Sequence, residues 1–174
     1  MSKGPEANFW NTLRSNLPKK CFATRIENKH GGGVPDVHMV WDGLPFWLEL
    51  KVSKGNGVKL SPHQVAWNTA YWVRGGANFI LVKRSVERDI LLFDGGLSAS
   101  VLGSGISGTP HARFGDPSAL FAGLRPRLES IYTEALRPLA PQALRPSAPK
   151  TAPEERRARG TRVRSDEGKN NSVL

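Results

Sequence analysis

Hydrophobic and polar residues alternate most strictly between residues 34 and 52 (VPDVHMVWDGLPFWLELKV). Val37, Met39 and Trp41 occupy alternate positions before Asp42-Gly43, and Leu44, Phe46, Leu48, Leu50 and Val52 do so after it. A strand repeats every two residues and Asp-Gly signals a tight two-residue turn, so this stretch predicts a β-hairpin. With Asp42 and Gly43 at its centre, Trp41 faces Leu44 and Asp36 lies opposite Glu49, with Cβ atoms about 4.5–5.5 Å apart. The apolar set then forms one continuous face that a one-residue slip would send into water. Asp36, Glu49 and Lys51 are left together on the opposite surface.

The pattern on either side supplies the other elements. Phe9, Trp10, Leu13 and Leu17 recur at helical spacing and predict a helix from Pro5 to Leu17, ended by Pro18. Cys21 to Glu27 reads as a strand. Ser61-Pro62 is a helix start, with serine as cap and proline in the first turn, and Gly75-Gly76 a stop. On that helix Ala66, Ala70 and Val73 are expected to pack on the sheet, with Gln64, Trp67, Asn68 and Tyr71 forming an adjoining stripe. Asn78–Lys83 and Asp89–Phe93 read as two further strands, Phe79–Val82 being solidly apolar as in a buried strand. Residues 97–115 are rich in Gly and Ser and read mostly as loop, with a brief turn of helix. Pro117–Leu136 is helical in pattern and suits either the sheet edge or a homodimer contact. From Arg137 onward, high proline content, the repeated Ala-Leu-Arg-Pro at Ala135 and Ala143, and the arginines from Arg156 to Arg164 predict a disordered basic tail. The order of elements implies an α/β fold with a mixed central β-sheet flanked by helices. It divides into a core over residues 1–95, a loop and helix over 96–136, and a tail over 137–174.

Charge narrows the partners. The 174 residues carry a net charge of +10, which favours a polyanion, nucleic acid ahead of an anionic membrane surface. No apolar run approaches the roughly 18 residues of a spanning helix. The N-terminal stretch has an early acidic residue and no apolar secretion segment, so a cytoplasmic protein is expected. The single cysteine, Cys21, excludes an internal disulfide framework and a Cys-rich zinc site.

Chemistry concentrates on the polar side of the hairpin. Two carboxylates facing each other across a ladder repel, and a divalent cation removes that cost. Hard oxygen ligands suit Mg²⁺, with Mn²⁺ as a substitute. Lys51 beside them can hold or deprotonate a water and offset phosphate charge. The alternative is a plain solvated polar face. Arg25 either shares that surface and contacts phosphate or is an ordinary strand charge. Lys29 and His30, ahead of Gly31-Gly32-Gly33, either meet a phosphate or sit in a flexible connection. Lys54 and Lys59 in the following glycine-rich loop are natural phosphate contacts. His38 falls opposite Trp47 and is expected to pack on it.

Pro35-Asp36 followed by Glu49-Leu50-Lys51 resembles the PD-(D/E)XK nuclease signature, with a hairpin-length gap. Leu60-Ser61-Pro62-His63-Gln64, followed by Trp67, resembles the segment after the catalytic lysine in virus-type replication-repair nucleases and Holliday-junction-resolvase-like proteins. The resemblance spans about Glu6 to Asp94 and implies a restriction-endonuclease-like core. It implies Asp36 and Glu49 as metal ligands, joined by Glu6 and the Leu50 carbonyl, with Lys51 catalytic and Gln64 at the site's edge. Glu6 also suits a helix N-terminus through the macrodipole alone, and Gln64 a solvated helix surface. The implied activity is a metal-dependent DNA endonuclease leaving 5′-phosphates, selective for branched DNA such as a four-way junction and acting as a homodimer. The implied setting is a bacterial or phage-infected cell. A general, flap or single-strand nuclease, an RNA substrate, and a non-catalytic nucleic-acid-binding protein remain as alternatives.

Overall fold

The computed structural model describes residues 4–26 and 32–136. Lys29, His30 and the tail expected from Arg137 onward lie outside these residues. The chain runs α1 (Pro5–Arg14), β1 (Cys21–Arg25), β2 (Val37–Trp41), β3 (Leu44–Ser53), α2 (Pro62–Trp72), β4 (Asn78–Arg84) and β5 (Ile90–Asp94). It continues with α3 (Ser98–Ser104), β6 (Ala112–Phe114) and α4 (Pro117–Leu136). The strands form one six-stranded sheet in chain order, parallel between β3 and β4 and antiparallel elsewhere. This is the expected α/β fold, a mixed sheet flanked by helices.

The hairpin has its expected register, Trp41 pairing with Leu44 and Val37 with Leu48. Asp42 and Gly43 both have positive φ (51° and 84°), the primed turn whose twist matches the strands. The apolar face is buried as its pattern requires. Val37, Met39, Phe46, Leu48 and Leu50 join Phe9, Trp10 and Leu13 of α1 and Leu120, Phe121, Leu124, Leu128 and Ile131 of α4 in one core. Tyr132 of α4 donates a hydrogen bond to the Pro45 carbonyl and Arg125 to that of Trp41, fastening the helix across the hairpin. The helix expected at a sheet edge or a partner thus lies on the sheet's face.

A second, smaller core on the opposite face joins Ile80, Val82, Leu91 and Phe93 to Val58, Leu60 and Val101, with Val65 and Ile106 against it. Here two expectations fail. Ala66, Ala70 and Val73 do not pack on the sheet; all three are exposed, Val73 to 71%. Asn68 points inward instead, fully buried, its amide donating to the Gln64 carbonyl and its own carbonyl groups receiving the Asn78 amide. The inner side of α2 mixes apolar Val65 and Trp72 with Gln64 and Asn68, which face polar partners, so a purely apolar template rotates the helix the wrong way. Residues 97–115 are also more ordered than a loop. α3 buries only Ser98 and Val101, and β6 is three residues long, so neither leaves a periodic signature.

Among the described residues no helix is long and apolar enough to cross a membrane.

Candidate active site

The site arises where the hairpin becomes unequal. Pairing of β2 with β3 ends at Val37–Leu48, while β3 runs on to Ser53. The Leu50 N–H therefore meets no strand, and the Asp36 carboxylate accepts it at 2.8 Å in place of a backbone carbonyl. On the other side the Asp36 carbonyl receives the Ile26 N–H at 2.8 Å, which ties the end of β1 to the same point. Asp36 is one residue off the ladder, not paired within it, yet its carboxylate reaches β3 beside Glu49. The N–H and C=O of one strand residue point to the same side, so the Leu50 carbonyl is directed toward the Asp36 edge as well.

Glu49 faces α2 and is fully buried. Its Oε1 is held by the Lys51 ammonium at 2.8 Å and by the Gln64 side-chain amide at 2.5 Å. Its Oε2 is buried with no hydrogen-bond partner among the described residues. Burial first, and then the charge of Asp36, pushes the Glu49 carboxyl up to about 7. Burial pulls the Lys51 ammonium down, but the adjacent Glu49 carboxylate outweighs it and holds Lys51 above its ordinary value. Lys51 thus stays an ammonium, a donor and a positive charge.

Gln64 is fixed twice. It closes the capping box of α2, its N–H donating to the Ser61 hydroxyl at 3.1 Å and its Oε1 receiving the Ser61 N–H at 2.9 Å. The remaining amide nitrogen is then aimed at Glu49. The Ser-Pro-x-Gln start of a helix therefore does local work and site work with one side chain.

An unsatisfied buried carboxylate oxygen beside a second carboxylate is costly without a cation. Asp36, Glu49 and the Leu50 carbonyl are hard oxygen donors of the kind Mg²⁺ takes, one or two carboxylates completed by water and phosphate oxygens. The residues present fit such an ion. Glu6 is placed differently from expectation. Among the described residues no group of three or more His, Cys, Asp or Glu side chains is gathered closely enough to share a metal, so Glu6 stands farther off than Asp36 does. It lines a cleft of about 380 Å³ with Lys51, Ser53, Lys54 and Lys59 and acts on the Glu49–Lys51 pair as a more distant negative charge.

Lys54 and Lys59 are both exposed on this cleft. The loop that carries them is held from two sides, which sequence reading missed. The Ser53 hydroxyl donates to the Gly57 carbonyl at 3.0 Å and accepts from the Gly55 N–H at 3.2 Å. Asn56 bonds to Ser104 and Ser107 and, through its carbonyl, to the Ile106 N–H at 2.9 Å. The turn after α3 thus anchors the basic loop. Gly105 is required there, since a Cβ would sit 1.9 Å from the Asn56 carbonyl oxygen.

Arg25 is not on the site's surface. It pairs with Val37, and opposed residues share a face, so it lies on the apolar-core side, while Thr24 pairs with His38. The length of the connection between β1 and β2 hides that phase from the sequence. Gly33 has φ of 97°, and a Cβ there would meet the His63 carbonyl oxygen at 2.3 Å, so this glycine lets the loop pack on the start of α2. His38 packs on Trp47 as expected, ring centroids 4.7 Å apart.

No family model matches this chain, and no curated protein matches it. Among solved structures it is similar to Hjc, a Holliday junction resolvase from the archaeal hyperthermophile Archaeoglobus fulgidus. The likeness covers 53% of this chain and 75% of that one, at 17% identity and a TM-score of 0.41. At that distance it decides neither fold nor activity.

Proposed function

We propose that the protein is a metal-dependent nuclease that hydrolyses phosphodiester bonds in DNA. The observation that carries this reading is the bare, buried Oε2 of Glu49 next to Asp36, with Lys51 and Gln64 occupying the other oxygen. Asp36, Glu49 and the Leu50 carbonyl would hold Mg²⁺ or Mn²⁺. A bound ion of this kind lowers the pKa of a water and offsets charge on a phosphate oxygen. Lys51, kept cationic by its neighbours, orients the attacking water or a non-bridging oxygen and stabilises the charge that develops there. Gln64 keeps Glu49 in the orientation that leaves Oε2 open. Lys54 and Lys59 contact the phosphates on either side of the cut, fixing position without reading sequence.

A non-catalytic binding protein is the poorer reading, because a carboxylate pair at the centre of a basic surface repels phosphate unless a cation lies between. The test is cleavage of an end-labelled panel comprising four-way junction, flap, nicked duplex, linear duplex and single strand, each with Mg²⁺, Mn²⁺ or EDTA. Cutting with either metal and none in EDTA is expected, leaving 5′-phosphate ends. Tight binding with no cutting under any metal would contradict the reading.

A further inference from the structure

The face that carries Glu49 also bears a row of aromatic rings that hydrolysis does not use. The His38 and Trp47 centroids are 4.7 Å apart, Trp47 and Trp67 meet edge to face at 5.5 Å, and Trp67 and Tyr71 stack at 4.9 Å, 11° from parallel. All four rings are half-buried, and none belongs to either hydrophobic core. The row crosses from β2 over β3 onto α2. At its far end Trp67, Ala70 and Tyr71 of α2, with Arg74 in the turn just after the helix, line an open depression of about 250 Å³.

The row is continuous with the candidate metal site at two points. Trp47 precedes Glu49 by two residues on the same face of β3, about 6.6 Å along the strand. Trp67 follows Gln64 by one helical turn, and Gln64 grips Glu49. Stacked bases rise about 3.4 Å per nucleotide, so a strand whose phosphate sits at the site passes these rings within about two nucleotides. Arg74 closes the row, bonded to the Ala70 carbonyl at 2.7 Å and paired with no carboxylate among the described residues. Partly exposed rings beside cationic side chains, on a chain of net charge +10, are the means by which proteins hold unpaired bases without reading sequence.

We propose that Trp47, Trp67 and Tyr71 form a stacking platform for unpaired bases of the strand being cut, so that the substrate presents single-stranded nucleotides beside the scissile phosphate. This rests on the nuclease reading for its geometry, but its test does not depend on cleavage. Binding of the full-length protein would be measured in EDTA to a duplex with a single-stranded overhang, in which one overhang nucleotide at a time is made abasic. One or two abasic positions near the junction are expected to weaken binding by about fivefold to a hundredfold. Trp67→Leu should erase that dependence and Trp67→Phe retain it. The abasic series uses the wild-type protein, so a folding defect in a variant cannot imitate the result.

A flat abasic profile for the wild type would overturn the platform, even if Mg²⁺-dependent cleavage is present. A position-dependent profile without cleavage under any metal would keep the platform and remove the nuclease reading. If the rings instead seat a second copy of this chain, the abasic profile will be flat and Trp67→Leu will lower the sedimentation coefficient. That outcome also overturns the proposal.

Discussion

The two faces of the central sheet are built to opposite rules. On the face covered by α1 and α4, every inward residue of β2 and β3 is apolar, and helix and sheet meet in one continuous core. On the face covered by α2, the same strand β3 presents Glu49 and Lys51, and the helix answers with Gln64 and Asn68, both inward. A single period-two alternation generates both, because consecutive residues of β3 point to opposite sides. One face supplies stability. The other holds a buried carboxylate whose Oε2 has no hydrogen-bond partner among the described residues, an arrangement that costs stability and that a bound cation would offset.

The largest expected effect separates the faces by stability. Leu124→Ala, on the α4 side and remote from Glu49, should cost about 2–5 kcal/mol in urea unfolding. Cleavage per folded molecule should be unchanged at a temperature where the variant is native. A loss of cleavage with little loss of stability would mean that the two faces are coupled.

A pH series in EDTA examines the cost on the other face. The Glu49 carboxyl is held up to about 7 against an unfolded value of 4.5, so the folded chain keeps a proton that the unfolded chain releases. Stability from this group is full below about pH 4.5 and is lost as pH rises to about 7, by up to about 1.4 kcal/mol per pH unit. Urea midpoints should fall across that window, and Glu49→Gln should flatten the slope. Saturating Mg²⁺ should raise the midpoint more at pH 8 than at pH 5.5, because the ion competes with the proton for the same carboxylate.

Gln64→Ala removes one half of a capping box and the amide that orients Glu49. A stability loss of about 1 kcal/mol is expected from the cap, together with slower cleavage that exceeds what the cap alone explains. Unchanged cleavage would reduce Gln64 to a helix-capping residue. The smallest effect belongs to the outer side of α2, where Ala66→Lys and Val73→Lys should each stay within about 0.5 kcal/mol of the wild type. A loss of several kcal/mol at either would mean that these residues face the sheet after all.

How far the sequence revealed this arrangement differed between the same two faces. The hairpin, its turn and the apolar side of β3 were legible because a two-residue period leaves one register that buries Val37 through Val52. The start of α2 was legible from Ser61, Pro62 and Gln64, whose chemistry is local. Its rotation was not, since Asn68 and Gln64 turn inward for the sake of Asn78 and Glu49, partners 10 and 15 residues away. Arg25 was misplaced because nothing local sets the phase of β1 against β2. Glu6 entered the site by resemblance, and the fold brings it to the cleft but not into a ligand cluster. Of α3 only a brief turn of helix was legible within residues 97–115, because Ser, Ala and Gly carry no periodic signal, although the turn that follows it holds the loop bearing Lys54 and Lys59. The aromatic row was visible only in pieces, His38 against Trp47 on the sheet and Trp67 with Tyr71 on the helix.

The proposed nuclease depends on the polar face acting as a metal-dependent hydrolytic centre built on Asp36, Glu49 and Lys51. Its most direct test is single-turnover cleavage of the preferred substrate in saturating Mg²⁺, comparing wild type with Asp36→Ala and Lys51→Ala at matched folded concentrations. Removal of a charge-stabilising group should slow cleavage by about 10²–10³-fold or more, in both variants, while each still unfolds cooperatively. Cleavage by both variants at the wild-type rate would contradict the account.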